Sequence, residues 1–458
     1  MAQELTPREG EMMKIIEDLR QRVEKLEKAQ QDSEIEEEKE IIIEPSEELN
    51  ERVEVLESKI ESLPRANDND MRLYWEEGIR FDSKDGKVKL KLFGRIQNDW
   101  GWWSVDDNIT AAEPGVNSGT GTEFRRARLG IGGTIYDRYE FKAQFDFAGQ
   151  DVDFKDVYVA FNKVPHVGQI KIGHFKEPMG LDTLTSSNDG TFMERALMNV
   201  QFSGRNTGIQ LANAQFDDRM TWAIGWFRPV DDSGSSESDG WNLTGRLTGL
   251  PYAADDAHFL HLGISSRYSD VDEIFGYSER PENHFLDRLS SFSVDADSAF
   301  TIGAEAALVY DRYSLQSEYA YTDVDGTTST DDRDVWGYYL QASAFLTHDH
   351  RVYKKSGGKF VKVNPKNNFN WFRDGSGWGA WEIAARWSDT DLDLGVEGQA
   401  LTLGLNWYLN PNMKILMNYV HTSIERPEDL GDPLDPADDI LAFDGNIDAF
   451  LTRFQVTW

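Results

Sequence analysis

The sequence predicts an all-β fold: a 16-stranded antiparallel transmembrane β-barrel preceded by an N-terminal α-helical coiled coil. Three observations carry this expectation. The apolar residues change period once along the chain, from a heptad before residue 70 to strict alternation from Lys87 onward. Aromatics make up 12% of the residues although mean hydropathy is −0.57, so large rings are plentiful without the aliphatic mass of a uniformly oily chain. Strands that turn one face to lipid and the other to a wet lumen have this balance. Finally, no stretch approaches the roughly 18 consecutive apolar residues of a spanning helix, which excludes a helical membrane protein.

The helical part comes first. Met12, Ile16, Leu19, Val23 and Leu26 form a heptad seam, and Leu49, Val53, Leu56, Ile60 and Leu63 form a second one in a different register. Between them lies an acidic stretch with Ile41 to Ile43 and Pro45. Two coiled-coil segments within residues 1–65 are the simplest reading; a single amphipathic helix packed on the barrel is the alternative. Val and Ile at a with Leu at d favour a dimer in a free peptide, a preference that tethering to an oligomeric barrel can override. Residues 66–86, with R-A-N-D-N-D after Pro64, read as linker, and residues 87–458 as the barrel.

In G-K-V-K-L-K-L-F-G-R-I-Q, Val88, Leu90, Leu92 and Ile96 share one face and Lys87, Lys89, Lys91 and Arg95 the other. The same alternation sets Tyr139, Phe141, Ala143, Phe145 and Phe147 opposite Glu140, Lys142, Gln144 and Asp146. Such segments are expected at 87–98, 124–134, 138–148, 154–162, 168–175, 206–214, 220–228, 241–248, 259–267, 300–310, 313–322, 334–346, 379–388, 400–409, 412–422 and 449–458. Tight joints such as Tyr310-Asp311-Arg312-Tyr313 and Leu409-Asn410-Pro411-Asn412 interleave with long acidic connections such as 268–299 and 422–448. Short turns on one rim and long loops on the other are the asymmetry of outer-membrane barrels. Only 346–379 is long on the short-turn side. A β-propeller also supplies many short strands, but the blade-length repeat it needs is missing. The chain ends in Phe450, Phe454, Val456 and Trp458 on one face, which suits a closing strand.

Composition excludes several classes of function. A net charge of −34 repels nucleic acid. The absence of cysteine removes disulfides, thiolate metal sites and thiol nucleophiles. Eight histidines occur without an H-E-x-x-H spacing, and no G-x-S-x-G elbow is present, so no enzyme is expected. The start M-A-Q-E-L-T-P has neither a basic region nor an apolar core, so an exported chain with this start is a processed form.

Several stretches together resemble the phosphate-selective porin O and P family of bacterial outer-membrane porins. They are E-F-R-R-A-R-L-G-I-G-G-T-I-Y-D-R-Y-E-F-K (123–142), I-G-H-F-K-E-P-M-G-L-D-T-L-T-S-S-N-D (172–189), Glu194-Arg195, N-T-G-I-Q (206–210), R-V-Y-K-K-S-G-G-K-F (351–360), G-A-W-E-I-A-A-R (379–386) and L-G-L-N-W-Y (403–408). The resemblance implies a homotrimeric 16-stranded porin in outer-membrane lipid, with its third outer loop folded inward and basic residues along the permeation path. The connection 175–205 is the third long one, so it is the expected constriction loop. An inward loop narrows a wet lumen and places charges where the field is least screened.

Parity then sorts the bases. If Leu129 and Ile131 face lipid, Arg126 and Arg128 face the lumen, as do Arg95, Lys142 and Lys171. The basic pair of the family motif maps onto Arg125 and Arg126; Arg125 has lipid parity and needs a rim, a loop or a bulge to reach the pore. The bland alternative is that these bases only pair with lumen carboxylates such as Glu140 and Asp146. Where phosphate-selective members carry a loop lysine after the G-L-acid triplet, Gly180-Leu181-Asp182 is followed by Thr183. The loop offers Asp182, Asp189 and Glu194 against Lys176, Arg195 and Arg205, and the fifth long loop offers Arg280 and Arg288 among a larger number of carboxylates. These departures lead to the expectation of a weakly selective pore for ions and small hydrophilic solutes. The alternatives are a phosphate- or anion-selective channel, or a tether between outer membrane and cell wall through a periplasmic coiled coil. No cofactor is expected, although T-D-V-D-G (322–326) and the acidic run 428–439 offer oxygen ligands for calcium. Tyr408, Trp407, Trp387 and Trp381 read as girdle and lipid-face aromatics rather than sugar platforms.

Overall fold

A computed structural model describes residues 14–25 and 71–458, apart from 77, 150, 203, 231–233, 235–238, 371–376, 394 and 428–441. The chain divides into a small unit, residues 1–72 with 83–85, and a large unit holding the rest. In the small unit residues 14–25 are helical; Ile16 is buried and Leu19 and Val23 are half-buried, while most neighbouring side chains are exposed. That pattern follows the first heptad seam. The second seam lies outside the described residues.

In the large unit sixteen strands close a barrel. They are β1 (Val88–Val105), β2 (Gly119–Ile135), β3 (Tyr139–Asp146), β4 (Asp153–Val164), β5 (Gly168–Lys176), β6 (Arg205–Gln215), β7 (Met220–Arg228) and β8 (Trp241–Ala253). The other half is β9 (His258–Asp270), β10 (Ser290–Tyr310), β11 (Tyr313–Gly326), β12 (Arg333–Phe345), β13 (Ala380–Asp391), β14 (Glu397–Asn410), β15 (Met413–Arg426) and β16 (Phe443–Thr457). Each pairs antiparallel with its neighbour in sequence, and β16 returns to β1 with Ile447 opposite Val105 and Thr457 opposite Arg95. Closure pairs each of these sixteen strands on both sides, so none of the sixteen presents an open edge to lipid.

The alternation decides which face is which. Ile96 and Leu129 are each 42% exposed on the outside, whereas their neighbours Gln97 and Gly130 point inward and are buried. Short turns gather on one rim; Tyr136 and Asp137, both at φ 53, give the β2–β3 turn the left-handed pair that matches strand twist. On the same rim the long 346–379 connection folds back as a small hairpin, Val352–Lys354 against Lys359–Val361.

All sixteen expected strands are present, and most run longer than the alternation alone delimits. β10 gains most, because Ser290–Asp295 extends beyond the barrel wall and pairs with a strand of the fifth long loop, Ile274–Glu279. The span expected as linker, 66–86, instead carries two strands, Met71–Trp75 and Ile79–Ser83. Ile79–Asp82 pairs with residues 89–92 of β1, the stretch that β16 leaves uncovered. Residues 322–326 lie in β11 rather than in a loop, and 428–439 lie outside the described residues. Tyr408 corrects another expectation: it points into the lumen, and its hydroxyl donates to Glu382 at 2.7 Å. Adjacent residues of a strand face opposite sides, so Tyr408 cannot share a girdle with Trp407. Trp407 itself stacks on Trp381 at 4.9 Å on the outside.

Candidate functional site

The third long connection, residues 177–204, turns into the barrel. Gly180 makes the entry turn at φ +72, where a Cβ would meet the Phe202 ring at 2.5 Å. A short helix, Leu181–Leu184, follows. The Glu318 carboxylate of β11 accepts from the backbone N–H of Leu181 and, at 2.9 Å, of Asp182, satisfying donors that a helix start leaves free. The rest of the loop is held by inward side chains of the β13–β16 wall and β1. Asn406 donates to the Thr191 carbonyl at 2.8 Å, Arg453 to Met193 at 2.6 Å and Arg386 to Glu194 at 3.0 Å. The Asn418 side chain accepts from the Met193 N–H at 2.8 Å, and Arg95 donates to the Ser187 hydroxyl at 2.7 Å.

With the loop drawn to that wall, the lumen between it and β2–β8 stays open as a cavity of about 580 Å³. Its lining contains Arg95, Arg126, Arg128, Arg195, Arg205 and Arg246 with Lys171, Lys176, Lys354 and Lys359, against Glu140 and Asp156. Some of these cations are paired. Arg128 meets Asp146 at 2.6 Å, Arg205 meets Asp156 at 2.7 Å, and Arg246 is bound by Glu305. Among the described residues, Arg95, Arg126, Lys171, Lys176, Lys354 and Lys359 have no carboxylate within ion-pair distance. Arg126 donates to Gln97 at 2.8 Å, and the Lys171 ammonium lies 4.9 Å from the Phe175 ring centre and 5.0 Å from that of Tyr158. The combination is a wet cavity ringed by uncompensated positive charge.

Arg125 reaches the interior through a bulge. Gln97 pairs with Arg126 and Asn98 with Phe124, so Arg125 is the extra residue and both arginines turn inward. Arg125 grips Glu194 of the loop with two bonds, 2.9 and 3.0 Å, and Arg453 adds a third contact at 2.8 Å. Burial works to raise the Glu194 pKa, but Arg125, Arg126 and Arg453 more than offset it and hold the carboxyl well below its usual range. Behind the loop Arg125, Arg126 and Glu194 border a second cavity of about 90 Å³ that Asp182 also lines.

Thr183 brings no charge, yet its position is not without one. Its carbonyl accepts from Lys176 and from Arg195, the latter at 3.2 Å, and its hydroxyl donates to Asn199 at 2.8 Å. Arg195 also lies 3.7 Å from Asp182. Lys142 pairs with Asp156 rather than with Glu140, which accepts from Tyr158 at 2.8 Å. The Asp189 carbonyl accepts from Arg351 at 2.7 Å, and the residue lines a third, smaller cavity rather than the main one. Arg280 and Arg288 stay in the outer loop, where Arg288 donates to the Ser278 carbonyl at 2.7 Å. The same loop turns Glu279 and Glu282 inward: Glu282 binds Arg386 and accepts from Ser388 at 2.6 Å, and Glu279 accepts from Thr390 at 2.9 Å. Burial, with Glu282 nearby, raises Glu279 to about 8.

Sequence reasoning missed Arg246, Lys354, Lys359 and Asp156. Arg246 was readable, since Leu243 and Leu247 fix its inward parity. The two lysines sit on the hairpin of the anomalous turn-side connection, which enters the lumen: the Gly358 carbonyl accepts from Arg246 at 2.7 Å, and Tyr353 and His261 share a hydrogen bond of 2.6 Å. Burial, with Lys171 beside it, lowers Lys359 to about 8.

The comparisons with known proteins agree with this architecture. The chain matches the family model described as phosphate-selective porin O and P over residues 91–458. It is 26% identical to Porin O of Pseudomonas aeruginosa, over 76% of this chain and 86% of that one. It is 29% identical to an uncharacterised protein of Caulobacter vibrioides, over 75% of this chain and 70% of the other. An anion-selective porin from Comamonas acidovorans shares the fold at a TM-score of 0.51 and 12% identity, covering 81% of this chain and all of that one.

Proposed function

The chain belongs to the phosphate-selective porin O and P family, and on that premise we propose that its barrel is a diffusion channel that favours anions. The family and the closed barrel support an outer-membrane channel, and the ion preference goes beyond them. One observation carries it: six cations without carboxylate partners among the described residues surround the open cavity. In a water-filled constriction between low-dielectric walls such charges raise the local anion concentration. The weak preference expected from sequence rested on the missing charge at Thr183 and on the carboxylates of the fifth long loop, of which Glu279 and Glu282 lie outside the lining of the open cavity. Lys176 and Arg195 supply charge at that position, so the anion alternative is the better supported reading. The site residues act in two ways in this proposal: Arg95, Arg126, Lys171 and Lys359 attract the permeating ion, while Arg125, Glu194 and Arg453 fix the loop that narrows its path.

The test is conductance in a planar bilayer. Replacing chloride with the bulky anion gluconate should lower the current several-fold more than replacing potassium with tetraethylammonium. The reverse ranking contradicts an anion channel. We further propose that the barrels assemble as trimers and that residues 1–65 lie in the periplasm, in reach of the cell wall. Deleting residues 1–70 should leave conductance intact and weaken envelope attachment, and mass measurement in mild detergent should return three chains.

A further inference from the structure

A second large cavity, about 710 Å³, opens near the loop rim and has no lining residue in common with the basic one. Its lining includes Val200, Val271, Phe275 and Tyr277 as apolar wall, Arg267 from β9, and Asp272 and Glu273 from the fifth long loop. Arg267 is only 5% exposed. Its Nη2 donates to the Gln201 carbonyl and the Tyr277 hydroxyl, both at 3.2 Å, and to the Thr301 hydroxyl at 3.4 Å. Among the described residues no carboxylate pairs with it, and its Nε–H has no acceptor. A buried guanidinium without a counter-ion is strongly disfavoured unless an anion completes it. Asp272 and Glu273, in contrast, are exposed.

We propose that this cavity is an outer capture site for small zwitterions with an apolar side group, of the aromatic amino acid type. The ligand carboxylate completes Arg267 at the closed end, the apolar group lies against Phe275 and Tyr277, whose rings are 5.2 Å apart, and the ammonium meets Asp272 and Glu273 at the open end. The charge order selects this class over the simpler ones. A multiply charged inorganic anion meets three carboxylates, Asp270, Asp272 and Glu273, and a plain amine leaves Arg267 uncompensated. The inference goes beyond the ion preference proposed above and does not rest on it; a channel shown to prefer cations leaves it standing.

The probes are L-phenylalanine, 3-phenylpropionate, phenethylamine and inorganic phosphate, each titrated against the full-length protein in detergent by saturation-transfer NMR. Phenylalanine should bind saturably and at least tenfold more tightly than any of the other three. Arg267→Gln should weaken phenylalanine at least tenfold, with resistance to SDS unfolding as the check on the barrel. The double variant Asp272→Asn/Glu273→Gln changes only exposed side chains, so it decides the matter even if the arginine variant does not fold. It should bring phenylalanine and 3-phenylpropionate within about threefold of one another. Equal binding of 3-phenylpropionate or phosphate by the unaltered protein, no saturable binding of phenylalanine, or a double variant that discriminates as before overturns the proposal.

Discussion

Arginine does two different things on the two sides of this lumen. On the wall behind the inward loop, Arg453 is held by Asp99 at 2.6 Å and Glu194 at 2.8 Å, Arg386 by Glu282, and Arg351 lies 3.8 Å from Glu382. There the guanidinium group is a fastener, its charge cancelled and one further N–H donated to a loop carbonyl, of Met193, Glu194 or Asp189. Facing the open cavity, Arg95 and Arg126 hydrogen-bond only to neutral groups, Ser187 and Gln97, and Lys171 rests on aromatic rings. There the charge remains available to a solute. The side chain does not determine the role; the presence of a carboxylate within reach does. Cancelled charges should control stability, and uncancelled ones selectivity.

The largest effect tests the first half of that division. Arg453→Gln leaves Asp99 and Glu194 buried without their shared cation, which should destabilise the barrel by about 3–5 kcal/mol. Urea unfolding in detergent measures it. The selectivity of whatever protein still folds should change less than in the next variant, because Arg125 still holds Glu194 and the uncancelled cations of the cavity are untouched.

Next comes the complementary change. Lys171→Gln combined with Lys359→Gln removes two uncancelled charges from the cavity wall. A unit charge about 8 Å from the ion path, at an effective dielectric of about 20, contributes roughly 2 kcal/mol before screening. A fall in the chloride-to-potassium permeability ratio of about tenfold is therefore expected, equivalent to ~1.4 kcal/mol. Unfolding should shift by less than about 1 kcal/mol, since no buried pair is broken. Loss of stability without loss of selectivity would reverse the assignment.

A smaller effect follows from pH. Lys359 is lowered to about 8, so it is charged below that pH and neutral above it; Glu279 is raised to about 8, so it is neutral below and negative above. Both changes subtract positive charge as pH rises. Anion preference should fall by about two- to threefold between roughly pH 6.5 and 9, given one or two titrating charges. Lys359→Arg should flatten most of the change. The smallest effect belongs to the acidic rim. Asp287→Asn with Asp332→Asn alters exposed charges that salt screens beyond about 8 Å at physiological ionic strength. Selectivity should move by less than about twofold there, and more only at millimolar salt.

This division also explains what was legible in the sequence. The barrel was, because a period of two with lipid on one side leaves each strand only one orientation, and Leu129 and Ile131 fix the faces of β2 as far as its bulge. Inward parity likewise placed Arg95, Arg126 and Arg128. What parity cannot show is pairing. That Arg128 is cancelled by Asp146 and Arg126 is not depends on strand stagger and on one extra residue in β2, whose mark in the sequence is a single parity switch between Phe124 and Leu129 around two adjacent arginines. The turn-side hairpin with Lys354 and Lys359 was visible only as a connection of the wrong length. Tyr408 was misplaced when aromatic character was allowed to outweigh parity.

An anion preference requires the uncancelled charges of the cavity wall to outweigh a chain whose net charge is −34. The most direct test is the zero-current potential of the purified protein in a planar bilayer across a tenfold KCl gradient at pH 6.5. A potential of the sign set by chloride, with chloride at least several-fold more permeant than potassium, is the predicted result. A potential near zero or of the opposite sign contradicts the account: the acidic exterior, and not the cavity wall, then governs what passes.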